Sequence, residues 1–171
     1  MKMRPLPTDY PPYFEPYISK VKGDDLPAIM ETGISALKDV LEKIPDAKAD
    51  FSYAPDKWTV KQVIQHCIDT ERVFAYRALC IARGETQPLP GFDQDIFATN
   101  ADVANKSLSY LKNEMVIMRQ SSVMLFDHFT ETELSKTGTV SNYTTTVLAL
   151  GFNIVGHWLH HYYILTDKYG I

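Results

Sequence analysis

Apolar residues recur at intervals of three and four through Leu26, Ile29, Met30, Gly33, Ile34, Leu37, Val40, Leu41 and Ile44. That period lays them along one face of a helix. Asp24 and Asp25 stand at its start, Pro27 fits its first turn, and Pro45 ends it. A second pattern opens with Thr59 and Gln62 in the positions of a capping box, flanked by Trp58 and Val63 as a hydrophobic staple. Its apolar stripe runs Val60, Val63, Cys67, Phe74, Ala78 and Ile81 until Gly84 stops it. The third alternates strictly by three and four over Leu108, Leu111, Met115, Met118, Ser122, Leu125 and Phe129, as the seam of a bundle helix does. The fourth is expected to begin near Thr144 or Thr145. It carries Val147, Leu150, Ile154, Trp158, His161 and Leu165 before Gly170. No segment offers a convincing strand, although 140–146 is locally rich in β-branched residues.

Four such helices in 171 residues predict an all-α fold, a four-helix bundle forming a single domain over 1–171. Residues 1–23, rich in Pro and Tyr, are expected to form an N-terminal extension packed on it. Links within bundles ordinarily run ~2–8 residues, but the stretch 84–104 is far longer. A helix of the second segment's length spans about 36 Å, and about twenty-one extended residues can run back along it. Helices two and three are therefore expected to be parallel, joined by a crossover. With Pro88, Pro90, Gly91, Phe92, Asp93 and Asp95, the crossover reads either as a binding loop or as plain cover for the bundle.

Hydrophobic residues make up 45% of the chain and charged residues 22%, with a net charge of −4. No two Lys or Arg are adjacent, so the chain lacks the basic face that nucleic-acid binding uses. Met1-Lys2-Met3-Arg4 is basic, but prolines follow where a signal peptide needs an apolar run. No stretch approaches the ~20 apolar residues of a membrane span. A cytoplasmic protein without nucleic-acid or membrane partners is the expectation. Cys67 and Cys80 lie about 20 Å apart along one helix, too far to bridge each other.

Three of the five histidines fall between Gly156 and His161. His157 and His161 stand four apart, one above the other on a helix face, and their neighbours on that face are apolar. Two readings of this pair stand: ligands of one metal ion, which takes imidazole nitrogen at ~2.0–2.1 Å, or histidines buried by chance spacing. His66 lies in the second turn of the second helix, in a strip with Thr59, Gln62, Asp69, Thr70 and Arg77. If the second and fourth helices run antiparallel, His66 meets the pair.

At this point the chain resembles the DinB superfamily, the group that includes YfiT-like metal-dependent hydrolases and thiol-dependent S-transferases. The resemblance is densest in Tyr53-Ala54-Pro55-Asp56-Lys57-Trp58-Thr59-Val60-Lys61 and in 66–78. It continues through 82–85, 89–93 and from Gly156-His157 to His161. It implies a bundle in which three histidines hold a divalent metal, at positions matching His66, His157 and His161. Zn²⁺ or Ni²⁺ are the expected ions. His160 has no counterpart among these ligands and points about 60° away from His157.

Neutral histidines leave such an ion its full charge, able to acidify a bound water or thiol. The resemblance therefore places a thiol-dependent S-transferase of the bacillithiol or mycothiol type first, with a small-molecule substrate. A metal-dependent hydrolase follows, and then a non-catalytic metal- or ligand-binding dimeric protein; a homodimer is the expected assembly. No residue stands out as a general base. Asp69 reads equally as a carboxylate orienting His66 and as a surface partner of Arg72. Tyr53, Trp58 and Arg77 are candidates to line a pocket.

Overall fold

Each long helix starts where a side chain accepts from its first free N–H groups. In the computed structural model, which describes residues 3–171, Asp25 caps α2 (Leu26–Lys43), and Thr59 with Gln62 caps α3 (Val60–Ala82). Ser107 caps α5 (Leu108–Asp127), and Thr146 caps α7 (Val147–Tyr169), which ends on Gly170 in the left-handed conformation. Oxygen at these positions satisfies donors that a helix cannot bond internally. Short helices fill the rest: α1 (Glu15–Ile18), α4 (Gln94–Asn100) and α6 (Glu131–Leu134). Met1 and Lys2, half of the basic start, lie outside the described residues.

The architecture is an all-α four-helix bundle with a long crossover. Lys106 donates to Gln65 at 2.6 Å, Arg72 reaches Glu114 at 2.7 Å and Arg119 binds Glu71, so α3 and α5 climb together and are parallel. Lys112 of α5 donates to the carbonyl of Ile44, just past the end of α2. Tyr169 at the end of α7 donates to the carbonyl of Trp58, just before α3. Hence α2 runs antiparallel to α5, and α7 antiparallel to α3. The crossover from α3 to α5 returns along the bundle and holds α4, whose start Asp93 caps through Asp95 and Ile96.

Two expectations are corrected. Residues 137–146 form a hairpin, β1 (Thr137–Val140) paired with β2 (Tyr143–Thr146). Ser141 and Asn142 both take positive φ at its turn, the pair of conformations that a two-residue hairpin loop requires. The fourth helix therefore begins at Val147 rather than at Thr144 or Thr145, because those threonines pair in the strand. The seam of α5 also shifts. Arg119 and Phe126 are buried where Met118 and Leu125 were expected, and those two are only partly covered. A straight helix drifts ~20° per heptad from a strict seven-residue repeat, and the drift brings Arg119 round to Glu71.

The N-terminal segment lies across α7. A Cβ on Gly156 would sit 2.2 Å from the carbonyl oxygen of Tyr17, so only glycine allows the two backbones to meet there. The crossover is pinned to the hairpin, with Leu89 N–H donating to Thr139 at 2.9 Å and Ser141 N–H to Leu89 at 3.1 Å. Among the described residues no helix is long and apolar enough to cross a membrane.

Candidate metal centre

The antiparallel packing of α3 on α7 brings the second turn of one against the later half of the other. His66 then faces His157 and His161, with ring centroids 4.9 and 4.8 Å away, and the latter two rings lie 4.6 Å apart. One ring nitrogen from each of the three falls within 4.8 Å of the others. All three side chains are buried. Trp58 walls the cluster on one side, 4.7 Å from His66 and stacked on His161. Tyr17 walls it on the other, 5.4 Å from His157.

Burial disfavours the charged imidazolium and holds all three rings neutral. It brings His66 down to about 4 and His161 to about 3, and drives His157 well below its ordinary range. Each neutral ring keeps one lone pair. His66 Nε2 and His157 Nε2 approach to 3.0 Å, near the ~3.3 Å that two nitrogens adopt on a tetrahedral ion at ~2.0–2.1 Å. His161 Nδ1 is buried with no hydrogen-bond partner. Three nitrogens converging on one point, with no carboxylate among them, form a donor set suited to a divalent transition ion. The cluster can coordinate such an ion and leaves room for a further ligand.

A cavity of about 380 Å³ opens beside His66 and His157. Thr70, Phe74 and Arg77 of α3 and Asn153 of α7 form its floor. Tyr13, Phe14 and Tyr17 close it from the N-terminal side, and Phe92, Gln94, Ser141 and Tyr143 from the crossover and the hairpin. Both readings of the crossover therefore hold in part, since it covers the bundle and contributes Phe92 and Gln94 to the cavity wall. His161 faces a smaller hollow of about 220 Å³, with Tyr53, Trp58 and Asp95 in its lining.

The remaining sequence candidates separate cleanly. Asp69 accepts from Gln65 at 2.9 Å and pairs with Arg72 at 3.5 Å; it takes the surface role and does not orient His66. His160 is half-buried against Tyr17 and the edge of His161, outside the cluster. His128 is exposed at the end of α5. Asn153 was missed by sequence reasoning. It is fully buried, and both of its amide atoms lack a partner among the described residues. Its signal was there to read: it is the one polar side chain between Val147 and Val155, one helical turn before His157.

A family model described as the DinB superfamily matches residues 29–165, a span that contains all three clustered histidines. No curated protein sequence matches the chain. Among solved structures, YfiT from Bacillus subtilis aligns with a TM-score of 0.72 at 18% identity, over 99% of this chain and 94% of that one. It is described as a probable metal-dependent hydrolase with an unusual four-helix bundle topology. At that identity the likeness is one of fold.

Proposed function

The chain belongs to the DinB superfamily, and from that premise we propose that His66, His157 and His161 hold one divalent metal ion in a metal-dependent hydrolase acting on a small molecule. The observation that carries the reading is the cluster itself, three neutral buried imidazoles meeting at the edge of a cavity. The description of the similar fold of YfiT supports placing hydrolysis ahead of the thiol transfer expected from the sequence. Zn²⁺ and Ni²⁺ both suit imidazole ligands.

When bound, the ion supplies a concentrated positive charge that polarises a substrate oxygen and acidifies a coordinated water or thiol. The chain's own groups do the rest. His66 comes from one helix and the other two from its antiparallel neighbour, so packing of α3 on α7 sets the ligand geometry. Asn153 offers an amide N–H to a substrate oxygen as it gains charge, from a dry wall where such a donor counts for more than in water. Trp58 and Tyr17 keep bulk water from the imidazoles.

A second reading is favoured by the cavity's lining, which holds no carboxylate to serve as general base. Thiol transfer needs none, because coordination deprotonates a thiol outright. The two readings part in one experiment. The metal-loaded protein is assayed against a panel of esters and amides, with and without a bacillithiol-type thiol. Turnover without thiol that disappears in His157→Ala supports the hydrolase. Turnover that requires thiol, with a thiolate charge-transfer band in the Co²⁺ form, would replace it by the transferase.

A further inference from the structure

We infer that the cavity selects a substrate bearing a carboxylate, which Arg77 binds at the end remote from the histidines. Arg77 is 4% exposed and lines the cavity. Phe74 and Phe92 flank its guanidinium, each ring centroid 5.6 Å away. Its one hydrogen bond among the described residues runs from Nη2 to the carbonyl of Pro90 at 2.7 Å, which occupies one of five N–H donors. No ion pair among the described residues includes it. A buried charge is ordinarily paired, and the other buried arginine shows what pairing looks like, with Arg119 bound to both oxygens of Glu71. A planar fork of free donors in an apolar frame matches a carboxylate.

An independent observation lies between Arg77 and the histidines. Thr70 Oγ1 and both amide atoms of Asn153 are buried in the lining of the same cavity without partners. On α3, His66, Thr70 and Arg77 stand at intervals of four and seven and share one face. On α7, Asn153 stands one turn from His157 on the side facing away from His161. The cavity thus presents the histidines, then a hydroxyl and an amide, then a cation. Such a row fits a molecule with its reacting group at the imidazoles, a polar middle and an acidic far end. Backbone positions of His66 and Arg77 are about 16 Å apart along the helix axis. Phe74 bridges that span, 6.4 Å from the His157 ring and 5.6 Å from the Arg77 guanidinium, which brings the two ends within reach of one small molecule.

The inference rests on the proposed metal site only for where the reacting end lies, and its test needs no turnover. Dicarboxylic acid monohydroxamates of increasing length place a metal-binding group at one end and a carboxylate at the other. Their methyl esters remove the charge alone. In the native Zn²⁺-loaded protein, one length of acid should bind about tenfold or more tightly than its ester, as a charged hydrogen-bonded contact implies. That preference should vanish in Arg77→Gln and Arg77→Met, with the esters binding all three proteins alike. No preference at any length, or a preference that survives both substitutions, overturns the carboxylate site. Should neither acids nor esters bind, the metal reading fails separately. Thermal stabilisation by straight-chain monocarboxylates over the matching alcohols then decides. Stabilisation confined to the native protein sustains the carboxylate site, and its absence there overturns it.

Discussion

Helix α3 buries polar groups on two faces, and they are buried in opposite ways. Toward α5 it presents Glu71, which binds Arg119 through two hydrogen bonds of 2.9 and 3.0 Å. Toward α7 it presents His66, which meets two more neutral histidines and beyond them Asn153 with its amide unpartnered. The first arrangement is closed, since each charge finds its complement and nothing is left to bind. The second is open, since like meets like and three ring nitrogens converge with no carboxylate among them. A closed polar pair in a core holds a fold in register, whereas an open array in the same core is a site. Five residues, about one and a half turns of helix, separate the two.

That contrast can be broken at either face. The largest effect is expected at the open one. His66→Ala and His157→Ala should abolish stoichiometric metal binding, measured by elemental analysis of purified protein, while leaving the bundle folded. His160→Ala and His128→Ala should retain the ion. Full metal content in His66→Ala would remove that residue from the site.

At the closed face the signs reverse. Glu71→Gln leaves Arg119 as an uncompensated buried charge and should cost about 3–5 kcal/mol in urea unfolding, with metal content unchanged in the fraction that folds. Replacing both partners, as Glu71→Leu with Arg119→Met, should recover most of that loss, because two apolar side chains of similar volume leave nothing unsatisfied. A double variant as unstable as the single one would show that the pair does more than neutralise itself.

Removing the ion should come next in size. The four apolar stripes already supply two buried clusters, one on each half of the bundle, so the metal-free protein is expected to stay helical by circular dichroism at room temperature. Its melting temperature should fall, by the equivalent of about 3–4 kcal/mol when free metal stands at 100–1,000 times its dissociation constant. A random-coil spectrum after chelation would instead make the ion a folding cofactor.

The smallest effect sharpens the comparison rather than breaking it. Gly156→Ala forces a Cβ against the backbone of Tyr17 and should destabilise by about 1–3 kcal/mol through overpacking. Because the N-terminal segment around Tyr17 can move away from α7 while α3 and α7 stay paired, the metal should remain bound. Its dissociation, followed with a chromogenic chelator, should be faster.

Much of this molecule was legible in local signals. The capping box at Thr59 and Gln62, the stop at Gly170 and the stripes of α2, α3 and α7 are set by side chains within a turn or two of one another. The same range covers His157 and His161, whose four-residue spacing alone puts them on one face. The third histidine needed one further step, the antiparallel pairing of two helices. The hairpin was harder, because four residues of β-prone sequence do not choose between a strand and the start of a helix until a partner strand and a turn with positive φ at Ser141 and Asn142 are in place.

The sequence by itself thus determined the four long helices, the caps of α2 and α3 and the inward faces of α2, α3 and α7, because those depend on interactions a few residues long. Only the tertiary structure decided what each buried polar group meets. Arg119 finds Glu71 across 48 residues, at the position to which the drift of the α5 seam brings it. Arg77 pairs with no acid among the described residues, and its cavity is assembled from the N-terminal segment, α3, the crossover, the hairpin and α7. Burial and partnership are properties of a position in space, set by the packing of segments far apart in the chain. The difference between a pair that is satisfied and a site that is waiting arises there.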